Sequence, residues 1–205
     1  MKQRFALVLI GLAISLILVG CFGGKVKYPT YYTLQVPPPP DPPSTETARP
    51  TIAVREFTSP AYLRQGPIVY RVSPEQIGFY DYHRWATDPR ELVTGAILDH
   101  LRASNAFASV KRYDGHSDIE YVLSGRLEKL EELDYGGRVR VEVALSAQMT
   151  NVKTGYTVWT NSVDEIGTVE QRSVPGVVSE MNRAMQRSID KLVSSVQIPR
   201  TASLN

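Results

Sequence analysis

The chain has 205 residues, of which 42% are hydrophobic and 21% charged. That balance suits a globular domain with a sizeable core and excludes a disordered or strongly acidic chain. Of 23 basic side chains, Lys2 and Arg4 lie in the first twenty residues, which leaves 21 against 21 acidic ones and no basic field to attract nucleic acid.

Lys2 and Arg4 precede an apolar run at 5–19, FALVLIGLAISLILV, and small residues then lead to Cys21. Basic, apolar and small segments in that order make a secretory signal peptide. The run is shorter than the roughly 20 residues a spanning helix needs. Leu18-Val19-Gly20-Cys21 resembles the bacterial lipobox. The resemblance implies cleavage before Cys21 and attachment of acyl chains to it. One acyl chain anchors only marginally, whereas a triacylated cysteine holds firmly. Cys21 is the one cysteine in the chain, so no intrachain disulfide can form. In enterobacterial lipoproteins an Asp directly after the cysteine retains the protein in the inner membrane. Phe22 stands there instead, which points to the inner leaflet of the outer membrane, with the inner membrane as the other possibility.

The expected division is a signal peptide at 1–20, a lipidated tether at 21–27, a single α+β domain at 28–198 and a frayed tail at 199–205. The tether is short enough to keep the domain close to the membrane. YYTL at 31–34 reads as a first strand. VPPPPDPPSTETARP at 36–50 is a stiff, polyproline-like connector, read as a spacer. TIAVREF at 51–57 is a strand with Ile52, Val54 and Phe57 inward. IVYRV at 68–72 and IGFYDYHRWA at 77–86 are two more. Asp88-Pro89 caps and opens a helix over 89–104, with Leu92, Val93, Ala96, Ile97, His100 and Leu101 as its apolar stripe.

ASVKRY at 108–113 is a short strand. The stretch 119–133 is a long one, with Ile119, Tyr121 and Leu123 on one face. At 138–149, Val139, Val141, Val143, Leu145, Ala147 and Met149 alternate with polar residues, the mark of a half-buried antiparallel strand. Turns at 134–137 and 151–155 join it to its neighbours, and 156–168 completes a three-strand meander. A long amphipathic helix over 174–196 closes the chain. The expected fold is therefore α+β, a mainly antiparallel sheet with two helices packed on one face.

The residues at 62–93, YLRQGPIVYRVSPEQIGFYDYHRWATDPRELV, resemble the signature stretch of the ABC-type transport auxiliary lipoproteins, the PqiC-like, MCE-associated family. The matching features are Tyr62-Leu63, Ile68-Val69-Tyr70-Arg71 and the strand from Tyr80 to Trp85 before a helix. The order of lipobox, Pro-rich gap, meander and final helix agrees as well. The resemblance implies a periplasm-facing lipoprotein that works with an MCE-domain protein and an ABC permease and ATPase. Such systems move lipids or other apolar molecules between membranes. It also implies a homo-oligomer, a ring that docks the distal end of the MCE tube. The alternative is a structural lipoprotein of another periplasmic envelope assembly. A carrier with cargo in its own cavity fits the bulky inward residues less well.

His83, His100 and His116 do not lie at metal-ligand spacing, and no phosphate loop, dinucleotide turn or nucleophile elbow appears. Asp81, Asp88, Glu91 and Asp99 cluster at the first helix, where carboxylates are ordinary dipole partners. The expectation is no enzyme, no cofactor and no metal. The candidate partner-binding residues are Tyr62, Tyr70, Arg71, Tyr80, Tyr82, Arg84 and Trp85. Arg, Tyr and Trp are enriched at interface anchors, and this stretch holds too many large rings for one inward face. Metabolic labelling with a palmitate analogue is expected to mark the natural chain and not Cys21→Ser; equal labelling of both would overturn the lipoprotein reading.

Overall fold

A computed structural model describes residues 26–40, 49–115 and 119–197. Cys21, the signal segment, His116 and the 199–205 tail lie outside the described residues. Within them the chain runs β1 (Thr30–Tyr32), β2 (Thr51–Val54), β3 (Pro67–Arg71), β4 (Ile77–Trp85), α1 (Pro89–Ala103), β5 (Ser109–Arg112), β6 (Tyr121–Tyr135), β7 (Arg138–Asn151), β8 (Thr157–Thr168) and α2 (Val174–Ser194), with a single 3-10 turn at Ala61–Arg64. The fold is α+β, a mostly antiparallel, partly mixed sheet that carries two helices.

β6 is the strand on which the others converge. One edge pairs antiparallel with β7, from Tyr121 opposite Asn151 to Tyr135 opposite Arg138, and β8 extends that ladder. Gly136 and Gly137, at φ 73° and 84°, close the β6–β7 hairpin in a two-residue primed turn. The other edge of β6 is used twice. β2 lies parallel along residues 121–123, Thr58 bridges Arg126, and β3 lies parallel along 131–133. Between the two contacts the chain swings out through the 3-10 turn. β5 adds parallel to β2, and β4 and then β1 add beyond β3.

This parallel pairing corrects the reading of 51–57. The strand ends at Val54, and Ile52, Ala53 and Val54 are all fully buried, because both of its faces are covered. Ala53 packs with Ile119 and Val122 in a small second cluster, so Ile119 does not share the face of Tyr121 and Leu123. β1 is also shorter than expected. Leu34 leaves the sheet and buries itself among the core residues, while the Gln35 amide donates to Asn182 Oδ1 on α2 at 2.7 Å. The Pro-rich segment therefore starts across the helix layer.

α2 packs on β7 and β8, α1 packs on β2 and β5, and the helices touch. The inward residues of β7 are Val139, Val141, Val143, Leu145, Ala147 and Met149, all buried as the alternation requires. Asp88 caps α1 by accepting from the Arg90 amide at 2.9 Å, and Ser173 caps α2 through the Gly176 amide at 3.2 Å. In α1, Val93, Ile97, His100 and Leu101 are buried as expected, but Leu92 and Ala96 sit at the margin. Thr94 is buried in their place, because its hydroxyl accepts the Phe57 amide at 3.0 Å. The Phe57 ring lies on β6 where Gly125 has no side chain; a Cβ there would overlap that ring and the Ser146 carbonyl oxygen.

Two glycines test this packing in opposite directions. Gly125→Ala is expected to destabilise the domain by about 1–3 kcal/mol through overpacking. Gly95→Ala, in α1 with no neighbour within 4 Å of the added methyl, is expected to stabilise it by about 0.5–1 kcal/mol. Denaturant unfolding of both variants checks the signs.

Candidate partner-binding surface

β6 carries two consecutive glutamates in a strand that otherwise buries leucines. Glu131 is fully buried and Glu132 nearly so. Alternation sends them to opposite faces. Glu131 accepts from Arg71 Nε and Nη2 and from the Tyr62 hydroxyl. Arg71 Nη1 also donates to the Pro74 carbonyl at 2.9 Å, which ties the β3–β4 turn into the same cluster. Burial, followed by the bond to Glu131 and its charge, pushes the Tyr62 hydroxyl up to about 12. Glu132 accepts from the Tyr80 hydroxyl at 2.7 Å. Burial holds its carboxyl above the usual range although that hydrogen bond opposes the shift, and nearby Asp134 adds to it.

A row of rings crosses the wing made by β1, β4 and β3. Tyr70 and Tyr80 lie 5.0 Å apart, Tyr80 and His83 5.7 Å, and His83 and Tyr32 5.7 Å, with the Tyr32 hydroxyl 3.0 Å from His83 Nδ1. Simple alternation of β4 places Tyr80 and Tyr82 together, but the strand does not alternate throughout. Val69 opposes Phe79 while Pro67 opposes Arg84, so between these pairs Ile68 alone stands against four residues of β4, 80–83. This irregularity interrupts the pairing of 80–83 with β3, while His83 pairs with Thr30 of β1. Tyr82 consequently stands exposed, with the Lys27 ammonium 4.3 Å from its ring centre.

The structure thus sorts the seven residues singled out from the sequence. Trp85 belongs to the core. Arg84 donates to the Gln65 carbonyl at 2.9 Å and lies against Gly66. Tyr62 and Arg71 gather at Glu131 on one face of β6, and Tyr80, with Tyr70 beside it, gathers at Glu132 on the other, all four half-buried. The glutamates themselves were missed, because EKLEEL reads as a solvated run. The signal was indirect: three hydroxyl or guanidinium donors in strand-like sequence need buried acceptors.

Chemistry elsewhere is structural. His100 bridges the helices: Nδ1 lies 2.7 Å from the Ala96 carbonyl, and Nε2 lies 3.1 Å from Gln186 and 3.3 Å from Asp190 Oδ1. Glu165 on β8 takes Lys191 and Arg187 of α2, and Lys191's bond first among them lowers its carboxyl. Among the described residues no group of three or more His, Cys, Asp or Glu side chains could hold a metal, and no helix is long and apolar enough to cross a membrane.

A sheet with a helix pair and a polar-tipped aromatic wing is the class of protein that fold and surface define. The model of the ABC-type transport auxiliary lipoprotein component family matches residues 32–193, and the chain belongs to that family. It is accordingly a membrane-anchored periplasmic lipoprotein associated with ABC-type transport. The fold is similar to that of protein XCC0632 from Xanthomonas campestris, of family DUF330, at 16% identity and TM-score 0.71, covering 80% of this chain and 92% of that one. An uncharacterized protein is similar at 11% identity and TM-score 0.66, covering 83% and 99%. The hypothetical protein CT253 from Chlamydia trachomatis is similar at 9% identity and TM-score 0.50, covering 72% and 95%. Comparison with curated proteins gives no match.

Glu132 supplies a pH test. Its folded-state pKa lies above the unfolded one, so the native state keeps a proton that the unfolded chain has lost. Stability from this group is present at low pH and is lost as pH rises through the window above about 4.5. Glu132→Gln keeps an acceptor for Tyr80 and removes the buried charge. It is expected to raise the melting temperature near neutral pH, with the gain shrinking toward acid pH.

Proposed function

We propose that this chain is a non-catalytic accessory lipoprotein of an MCE/ABC-type system that moves lipids or other apolar molecules between membranes. The family match over residues 32–193 carries the reading. Acylated Cys21 anchors it, and Phe22 in place of an acidic residue favours the outer membrane's inner leaflet. Its work is docking. The family's role is auxiliary, the two helices and the sheet share one packed core, and the polar side chains described above are spent on each other.

Copies of the chain assemble with one another and with the MCE-domain protein. In this reading the wing makes contacts on both faces, through Tyr62 and Arg71 on one and Tyr70 and Tyr80 on the other. Glu131 holds Tyr62 and Arg71, Glu132 holds Tyr80, and Tyr70 packs on the Tyr80 ring, yet all four remain part-exposed. Rings whose ordering is already met in the free monomer lose little entropy on binding.

In-cell crosslinking of the tagged full-length protein tests the proposal. Capture of an MCE-domain protein and an ABC permease supports it; capture only of other envelope scaffold proteins contradicts it. Tyr70→Ala is expected to weaken assembly by about 2 kcal/mol, roughly thirtyfold, while the monomer keeps its melting temperature. Trp85→Ala is expected to do the reverse and destabilise the fold by about 3–5 kcal/mol.

A further inference from the structure

Eight large hydrophobic side chains are strongly exposed among the described residues, and half of them gather at one corner. Val26, Tyr28 and Tyr31 are 72%, 78% and 60% exposed, and Tyr82 is 38% exposed. β1 brings them together. Tyr31 pairs with Arg84, two residues from Tyr82, and Lys27 lies over the Tyr82 ring. Such patches on a soluble surface mark a contact with something else.

We propose that this corner is a membrane-contact surface, seated at the headgroup level of the bilayer that holds the lipidated Cys21. The inference rests on the acylation of Cys21. Four residues lie between Cys21 and Val26, so Val26, at the corner, lies within about 18 Å of the anchor even with the chain fully extended. No other part of the described domain is held so close by the covalent chain. Tyrosines with an apolar body and a polar tip, together with lysines, are the residues that settle at membrane–water interfaces. The charge is also suited to anionic lipid. Lys27 and Arg84 lie in or beside the patch against one neighbouring carboxylate, Asp81.

The consequence is an orientation. With the β1–β4 corner on the membrane, Tyr82 leaves the set of protein-contact residues, and the cluster around Glu131 and Glu132 remains for partners. The far end of the meander, at the turn 151–156, is left free of lipid. The irregular segment 80–83 of β4 then has a purpose, since without it Tyr82 would not stand out beside the tether.

Depth-dependent quenching tests this on the full-length acylated protein. Cys21 is blocked by its acyl chain, so Tyr31→Cys, Tyr82→Cys and Tyr156→Cys each add one free thiol for an environment-sensitive fluorophore. The labelled proteins are placed in vesicles of phosphatidylethanolamine and phosphatidylglycerol that contain a spin-labelled phosphatidylcholine. Probes at 31 and 82 are expected to shift to the blue and to lose emission to the spin label, and the probe at 156 to do neither. Should Tyr82→Cys fold poorly by circular dichroism, Tyr31→Cys carries the test. A blue shift without lipid quenching would overturn the proposal by showing protein on the corner. Probes at 31 and 156 that are equally wet, or quenching at 156 alone, would overturn it too. Absence of acylation fails separately, since the protein would then not sediment with the vesicles at all.

Discussion

A carboxylate cannot be left charged and unpaired in a protein interior, and Glu131 sits fully buried in the longest strand of the sheet. Arg71 on β3 and Tyr62 in the 3-10 turn supply its donors. Tyr62 comes from the excursion between the two parallel contacts on one edge of β6, and Arg71 from β3, the second of those contacts. The same interaction therefore closes the swing between β2 and β3 and ties the β3–β4–β1 wing to the meander. Glu132, one residue on, does the same from the opposite face through Tyr80. β3 and β1 of the wing are short, with five and three residues, so side-chain anchorage adds to backbone pairing there.

This arrangement decides what the two ends of the molecule can do. The meander and α2 form a filled, ordinary layer, with Glu165 and Glu180 joined to Arg183, Arg187 and Lys191 along its rim. The wing is different. Its rings are ordered by buried acceptors, yet their faces reach the surface. The tether enters at its outer strand. An accessory lipoprotein has to meet a membrane and a protein partner at once, and in the proposed reading the lipid side and the protein side fall on neighbouring parts of one wing.

Much of the fold was legible because its signals are local. The strict alternation at 138–149 depends only on which face meets the helices. Asp88-Pro89 announces a helix start by its own chemistry, and Gly136-Gly137 a hairpin. The parallel partners of β2 were not legible. Ile52, Ala53 and Val54 are an apolar run that suits a two-sided strand, but the run does not name β5 and β6 as the neighbours. The slip in β4 was hidden as well, because an irregular pairing is decided by the partner strand. At the candidate surface the excess of rings at 62–85 was visible, and so was the conflict with simple alternation. Its resolution, an irregular pairing at 80–83 and two buried glutamates, depends on contacts some fifty to seventy residues away in sequence.

The central claim is that Glu131 and Arg71 act as one unit that holds the wing to β6. A double-mutant cycle on unfolding free energy measures this directly, with Arg71→Met, Glu131→Gln and the pair. The expected result is strong coupling, above about 1 kcal/mol, with the double variant more stable than the sum of the single losses implies. Additive losses, within about 0.5 kcal/mol, would contradict the account and leave the wing held by backbone pairing and the Tyr80–Glu132 bond.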